Sequence, residues 1–310
     1  MLLADLHIHS TWSDGKLSIP EIVDLFGRTR HDVIAITDHI VNRDNLIGKF
    51  THGIGLSLTA ETFPAYRTEI EREARRAWDQ YKMIVLPGCE LTQNRVRRAS
   101  SAHVLAIGVD EFVSAEGTVE EMLDRARKSG ALVVACHPNE QSEWFANTFY
   151  LWNRRTKLEG LIDLWELACR WDLFPPVGRE RLPYVGNSDF HRPAHLWAWK
   201  TLVPCEKRTN EVLAVLRRGI GLGVTLARTA ASRGSSPNLR RGLTNAGHCL
   251  RRHDHDLHLH RSAHPRRGCR GDHIVPDRTH RSLPEAATAG SGQYPPRGAV
   301  RPDGHLSFRS

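Results

Sequence analysis

The 310-residue sequence has no unbroken run of about 18 or more apolar residues, the minimum for a membrane-crossing helix. Its first ten residues, MLLADLHIHS, lack both the basic flank and the full apolar stretch of a secretory leader. The expectation is therefore a cytoplasmic protein with no membrane partner. The six cysteines (Cys89, Cys136, Cys169, Cys205, Cys249, Cys269) show no CxxC spacing and read as reduced cytosolic thiols rather than a disulfide frame. Lysine is missing altogether from residues 228–310, which hold 15 Arg and only 6 acidic residues. The formal net charge of +8 thus belongs to that tail, because residues 1–227 carry 28 basic and 29 acidic side chains. The first 227 residues show no charge excess of the kind that marks a nucleic-acid track.

The tail is also poor in large apolar residues, with 11 of Ile, Leu, Val, Phe and Trp among 83. Such a composition buries too little surface to offset the entropy of ordering. Two readings stay open: a disordered segment, or the product of a frameshift in a GC-rich gene. Its motif His253-Asp254-His255-Asp256-Leu257-His258-Leu259-His260 has no scaffold to fix it and is read as bland.

Residues 1–227 alternate apolar strand-like runs with helix-like segments. The strand candidates are LLADLHIH, DVIAIT, MIVLPGCEL, HVLAIGV, ALVVACH, LIDLWEL and LPYVGNS. Ser18 with Glu21, and Thr118 with Glu121, have capping-box spacing and open helices that end near Arg30 and at Gly130. Further helices fit 64–80 and 209–218. Repeated strand–helix units with apolar strands predict an α/β fold with a mostly parallel sheet, open or closed into a barrel.

Metal-type residues recur at the C-terminal ends of these runs. His7 and His9 stand two apart, so on a strand both imidazoles face one side. Asp14 follows in a Ser-Asp-Gly turn. Asp38-His39 closes DVIAIT, Glu90 closes MIVLPGCE, His137 closes ALVVACH, and Asp189 and His191 form a second i, i+2 pair. Singly, each is more often structural than functional. Together they lie where the strand ends of a parallel α/β barrel gather, which is where active sites form. His103 departs from the pattern by starting its run. It reaches the same face only if 84–92 and 102–108 pair antiparallel.

The order HxH…D…TDH…E…H…CHP…SDFH, spread over residues 1–227, resembles the PHP family, the polymerase and histidinol phosphatase superfamily. The resemblance implies a distorted seven-stranded (β/α) barrel with a trinuclear site for two or three divalent ions (Mn, Zn or Fe). His7, His9, Glu90 and Asp189 would hold the first ion. Glu90, His103 and His137 would hold the second, with Glu90 bridging, and Asp14, His39 and His191 the third. Such ions lower the pKa of water and offset charge on a phosphoryl group. The implied activity is hydrolysis of phosphate esters, foremost a phosphomonoesterase on a small phosphorylated metabolite or nucleotide. The alternatives are a 5'-3' exonuclease on nucleic-acid ends and a non-catalytic protein that binds nucleic acid through its basic tail.

Three further residues are catalytic candidates. Asp38, next to His39, is placed to orient a ligand imidazole. Arg43 and Arg192 are the nearest phosphate clamps, each weighed against a plain surface arginine. Arg95, Arg97 and Arg98 are expected to overhang the site mouth. The aromatic stretch with Trp144, Phe145, Phe149, Tyr150 and Trp152 reads either as a pocket wall or as the packing face of a local helix.

Overall fold

The computed structural model describes residues 1–44, 56–95, 100–138 and 148–227, all within one compact unit that spans Met1–Arg240. The tail with its histidine motif, Cys249 and Cys269, and residues Arg97, Arg98, Trp144 and Phe145, lie outside the described residues.

Among the described residues, eleven strands and six α-helices alternate. β1 (Leu2–Ile8), α1 (Ile19–Arg28), β2 (Val33–Ile36), β3 (His39–Val41), α2 (Phe63–Tyr81) and β4 (Ile84–Gln93) come first. β5 (Ala102–Ile107), α3 (Val119–Lys128), β6 (Leu132–Ala135), α4 (Phe149–Asn153), β7 (Leu164–Cys169) and β8 (Asp172–Leu173) follow. The remainder is α5 (Pro175–Arg179), β9 (Tyr184–Asn187), a 3-10 turn (Pro193–Trp197), β10 (Trp199–Val203), α6 (Thr209–Arg218) and β11 (Gly223–Leu226). Both expected capping boxes form. The Glu21 carboxylate accepts the Ser18 N–H at 2.8 Å, and the Glu121 carboxylate accepts the Thr118 N–H at 2.8 Å.

The strands make one mixed, curled sheet in the order β11-β10-β1-β2-β4-β5-β6-β7-β8, with β3 beside β4 and β9 beside β7. β1–β2, β2–β4, β6–β7 and β7–β9 are parallel. β5 runs antiparallel to both β4 and β6, the reversal that a ligand role for His103 demands. A parallel bridge between Ile8 and Phe190 ties the end of β1 to the segment after β9. His9 N–H donates to Phe190 O at 2.8 Å and Phe190 N–H to His7 O at 3.0 Å. Sequence reading missed β3, β8, β10 and β11, so the sheet is broader and more antiparallel than expected.

Both faces of the sheet are buried, which is why its strands read as continuous apolar runs. Ile34, Ile36, Val133 and Ala135 pack against Ile22, Phe26, Tyr66, Met122 and Leu123 of the flanking helices. The alternate positions Ala35, Leu86, Leu105, Val134 and Val185 fill the other side with Val212 and Leu216 of α6. In β1 the alternation breaks. Leu2, Ala4 and Leu6 join the second cluster but Ile8 joins the first, and the register with β2 shifts between Asp5 and Ile8. A bulge of this kind re-aims side chains. It puts His7 and His9 on the face opposite Ile8.

Candidate metal centre

The structure brings the nine sequence-derived ligands to one place. Each arrives by a short local device. The Ile8–Phe190 bridge sets His7 and His9 beside Asp189 and His191. β3 starts at His39 and pairs it directly with Glu90 of β4. The β4–β5 pairing places Thr92 opposite His103, and β6 ends two residues before His137. His137 and Asp189 both take positive φ, +22° and +46°, a strained backbone of the kind that clusters at functional sites.

Glu90 lies at the middle, with 1% of its side chain exposed. Its Oε2 is 3.4 Å from His7 Nε2, 3.3 Å from His9 Nε2 and 3.0 Å from His39 Nδ1. Its Oε1 is 2.9 Å from His103 Nδ1 and 3.5 Å from His137 Nε2. The two oxygens thus serve different histidine groups. Asp189 Oδ1 sits 3.5 Å from both His7 Nε2 and His9 Nε2 and 3.3 Å from His191 Nδ1. Asp14 reaches His191 Nε2 at 3.2 Å and His39 Nε2 at 3.6 Å. Among the nine candidate ligands, three sets of donor atoms fall within 4.8 Å of one another: His9, Asp14, His39 and His191; His7, Glu90 and His137; His7, His9 and Asp189.

Several of these buried atoms have close neighbours but no hydrogen bond. Both ring nitrogens of His9, Nδ1 of His103 and Oε1 of Glu90 are in that state. The 2.9 Å approach of His103 to Glu90 is poorly aligned for a hydrogen bond. Buried polar atoms left this way are costly. An all-nitrogen and oxygen donor set with converging, unsatisfied atoms fits divalent cations.

The electrostatics are those of a compact acid–imidazole cluster. Burial works against the charge of Glu90, yet His39, His7 and His103 hold its carboxyl well below the usual range. Burial likewise opposes charge on Asp189, and His7, His9 and His191 outweigh it. Burial alone would keep His39 neutral, but Glu90 and Asp14 raise it from 6.5 to about 9. His9 goes the other way, to about 3, through burial and the neighbouring charges of His191 and His39. One imidazole is thus held neutral, the form that binds metal, while its neighbours share the protons.

A supporting layer was not foreseen. Glu166 of β7 is buried and sits 3.0 Å from His7 Nδ1. It also accepts from Asn187 Nδ2 at 2.8 Å and from the His137 N–H at 2.7 Å. This carboxylate fixes one ligand's ring and another's backbone together. The available signal was Glu166 itself, the second of two acids in the apolar run LIDLWEL. Thr92 Oγ1 meets His39 Nδ1 at 2.8 Å, and Asn94 Oδ1 meets His103 Nε2 at 2.9 Å.

The three catalytic candidates take other positions. Asp38 does not hold an imidazole by a hydrogen bond. Its carboxylate accepts from Ser10 N–H at 2.8 Å, Ser10 Oγ at 2.7 Å and Ser13 Oγ at 2.6 Å, and so anchors the turn that carries Asp14. Arg43 is paired with Glu116 at 3.0 Å, half exposed. Arg192 is exposed and donates from Nε to His195 Nε2 at 3.1 Å. Arg95 is bound to Gln93 Oε1 at 3.2 Å and to the Gly117 carbonyl at 3.4 Å. The described aromatics pack locally: Trp152 lies edge-on to Trp165 and Phe174, at 5.9 and 4.8 Å.

Among the described residues, the arginine paired with an acid of the centre is instead Arg170, whose guanidinium meets Asp189 Oδ2. It sits in the two-residue β7–β8 turn with φ +53°. A cavity of about 380 Å³ opens beside it, lined among others by His137, Glu166, Arg170, Phe174 and Asp189.

No family model matches the chain. The fold is shared with a solved two-domain protein from Bacteroides vulgatus containing a predicted PHP-like metal-dependent phosphoesterase. The two are 20% identical, the TM-score is 0.52, and the match covers 73% of this chain and 65% of that one. An amidohydrolase from Chromobacterium violaceum is 13% identical with a TM-score of 0.41, over 61% of this chain and 88% of its own. In sequence, 139 residues are 30% identical to the DNA polymerase/3'-5' exonuclease PolX of Bacillus subtilis. That match covers 43% of this chain, which spans less than a quarter of the relative, 23% of its length. The chain thus shares the fold of that PHP-like protein, and the similarity to PolX accords with the resemblance to the PHP family.

Proposed function

We propose that the chain is a metal-dependent phosphomonoesterase of PHP type, acting in the cytoplasm on a small phosphorylated molecule. The observation that carries this reading is the convergence of nine donors beside a cavity with an arginine on its wall. We read the linkage of β9 to β1 through Ile8 and Phe190 as the closure of a distorted seven-stranded barrel, formed by β1, β2, β4, β5, β6, β7 and β9, with the donors at its mouth.

His7, His9, Glu90 and Asp189 would hold one divalent ion, Glu90, His103 and His137 a second, and Asp14, His39 and His191 a third, from Mn, Zn or Fe. When bound, such ions lower the pKa of water and offset charge on a phosphoryl group. The chain's own groups do the rest. Glu90 directs one oxygen to each histidine group and keeps both in register. Glu166 holds the His7 ring with Nδ1 turned away, so that Nε2 faces the centre. Arg170 braces Asp189 through Oδ2 and leaves Oδ1 toward the histidines. Its guanidinium lies on the cavity wall, where its positive charge suits an anionic substrate. Phe174 gives the same cavity an apolar side for the leaving group.

The donor set contributes only three carboxylates, Asp14, Glu90 and Asp189, against several divalent charges. That balance favours a dianionic phosphomonoester over a monoanionic diester. The second reading is an exonuclease, favoured by the likeness to PolX. Against it stands the even charge of residues 1–227, since strand binding usually needs a basic track. The test is to assay manganese-loaded protein against phosphorylated metabolites and end-labelled oligonucleotides side by side. Release of inorganic phosphate from the small molecules supports the first reading. Stepwise shortening of oligonucleotides alone supports the second. No turnover of either class overturns both.

A further inference from the structure

A second donor cluster adjoins the centre and differs from it in chemistry. His7, Glu166 and Cys169 offer ligand atoms that all lie within 4.8 Å of one another, and all three residues are buried. In a regular strand Cys169 would face away from Glu166, three positions earlier. The β7–β9 register shifts between Glu166 and Ala168, and this slip returns the thiol to the side of the carboxylate. Glu166 and Cys169 both line the 380 Å³ cavity, so the cluster has an approach from outside.

We propose that His7, Glu166 and Cys169 form an inhibitory site for a thiophilic divalent cation, such as cadmium or excess zinc, entering through the cavity. The nine ligands of the centre are nitrogen and oxygen donors. Cys169 is the sulfur donor within the same reach, and sulfur selects softer ions than manganese. Binding transfers the thiol proton of Cys169 to solvent and forms a metal–thiolate bond, with the carboxylate and one imidazole nitrogen completing three protein ligands. His7 cannot serve both sites unchanged. Its Nδ1 faces Glu166 at 3.0 Å and its Nε2 faces Glu90 at 3.4 Å. An ion in the cluster either takes Nδ1 from Glu166, which frees the ring to turn, or takes Nε2 from the centre. Both outcomes disable the first ligand of the metal centre.

The binding claim stands on this cluster alone, and the inhibition claim rests on the proposed function. The experiment uses the full chain, preloaded with manganese, titrated with cadmium alone. Cadmium–thiolate charge transfer in the ultraviolet reports sulfur ligation directly. The expected result is a saturable band in the unaltered protein that is smaller by one thiolate in Cys169→Ser. Bands from other cysteines cancel in the difference. Cadmium should inhibit the unaltered protein at a concentration about tenfold or more below that needed for the variant, each relative to its own uninhibited rate. Cys169→Ala serves as the second variant if the serine protein does not fold. Equal bands with and without the Cys169 thiol overturn the proposal. Equilibrium dialysis with manganese, zinc and iron in turn separates the two ideas. A protein that binds none of manganese, zinc or iron in dialysis loses the functional reading, while the cadmium difference still decides the site.

Discussion

The inner and outer parts of the metal centre are built differently. Glu90, His7 and His9 have at most 1% of their side chains exposed and Asp189 has 7%. Asp14, His39 and His191 are 37%, 15% and 20% exposed. The inner donors come from strands, from the residue just after β1, or from the backbone-locked segment after β9. Asp14 instead stands on a turn held by Asp38 through Ser10 and Ser13. Depth decides the energetics. Inner charges are screened little by water or salt, so losing one leaves others buried and uncompensated. An outer donor can be replaced by water at small cost. The inner part should therefore carry the permanent metals, and the outer part an exchangeable one.

Glu90→Gln should break the inner part most severely. An amide cannot neutralise two cations, so activity should drop by roughly a thousandfold and elemental analysis should show a loss of more than one metal equivalent. Unchanged stoichiometry would show that Glu90 does not bridge. Glu166→Gln should come next, with about 10–100-fold lower activity or metal affinity, the usual scale for a group that orients a ligand. A metal titration with activity readout measures it, and a variant within twofold of the parent would remove Glu166 from the supporting layer.

Asp14→Asn sharpens the comparison from the other side. It should lose about one metal equivalent and retain the rest, and dialysis of the unaltered protein against a weak chelator should remove that same equivalent first. Simultaneous loss of all metal would mean that the two parts do not differ. The smallest effect concerns the metal-free chain. His39 rises from 6.5 to about 9 on folding, against its burial, because Glu90 and Asp14 face it. Its contribution is full below pH 6.5 and is lost as pH passes through about 9. The melting temperature of metal-stripped protein should fall by a few degrees over that window, whereas metal-loaded protein, with imidazole already unprotonated, should show less of this decline. A flat profile for the stripped protein would contradict the charge assignment.

Legibility in the sequence followed the range of the interactions. The i, i+2 pairs His7/His9 and Asp189/His191 declare a shared face within three residues, so the ligands stood out. The antiparallel turn of β5 was legible because His103 begins its run where Glu90 nearly ends one. What escaped depended on distant partners. β10 carries Lys200, fully buried against Asp5 at 3.1 Å, and a lysine in a short run hides a strand when its counter-charge is far away in sequence. Asp38 looked like a ligand's partner because His39 is its neighbour, but Ser10 and Ser13 hold it across the sheet. Arg170 lies in a turn with no glycine to mark its positive φ, and Asp189 is 19 residues away. Arg43 and Arg192 were chosen for nearness in sequence, which says little about which arginine a folded cavity will meet.

The Ile8–Phe190 bridge also sets a time at which the protein can begin to function. Histidines made among the first residues of the chain wait for Asp189 and His191, made near the end of the described residues, before their site exists. A nascent chain that stops before Asp189 has imidazoles but lacks two of the nine donors. On the proposed reading, metal loading follows synthesis through His191, so a chain that stops earlier would not commit an ion to an unfinished site.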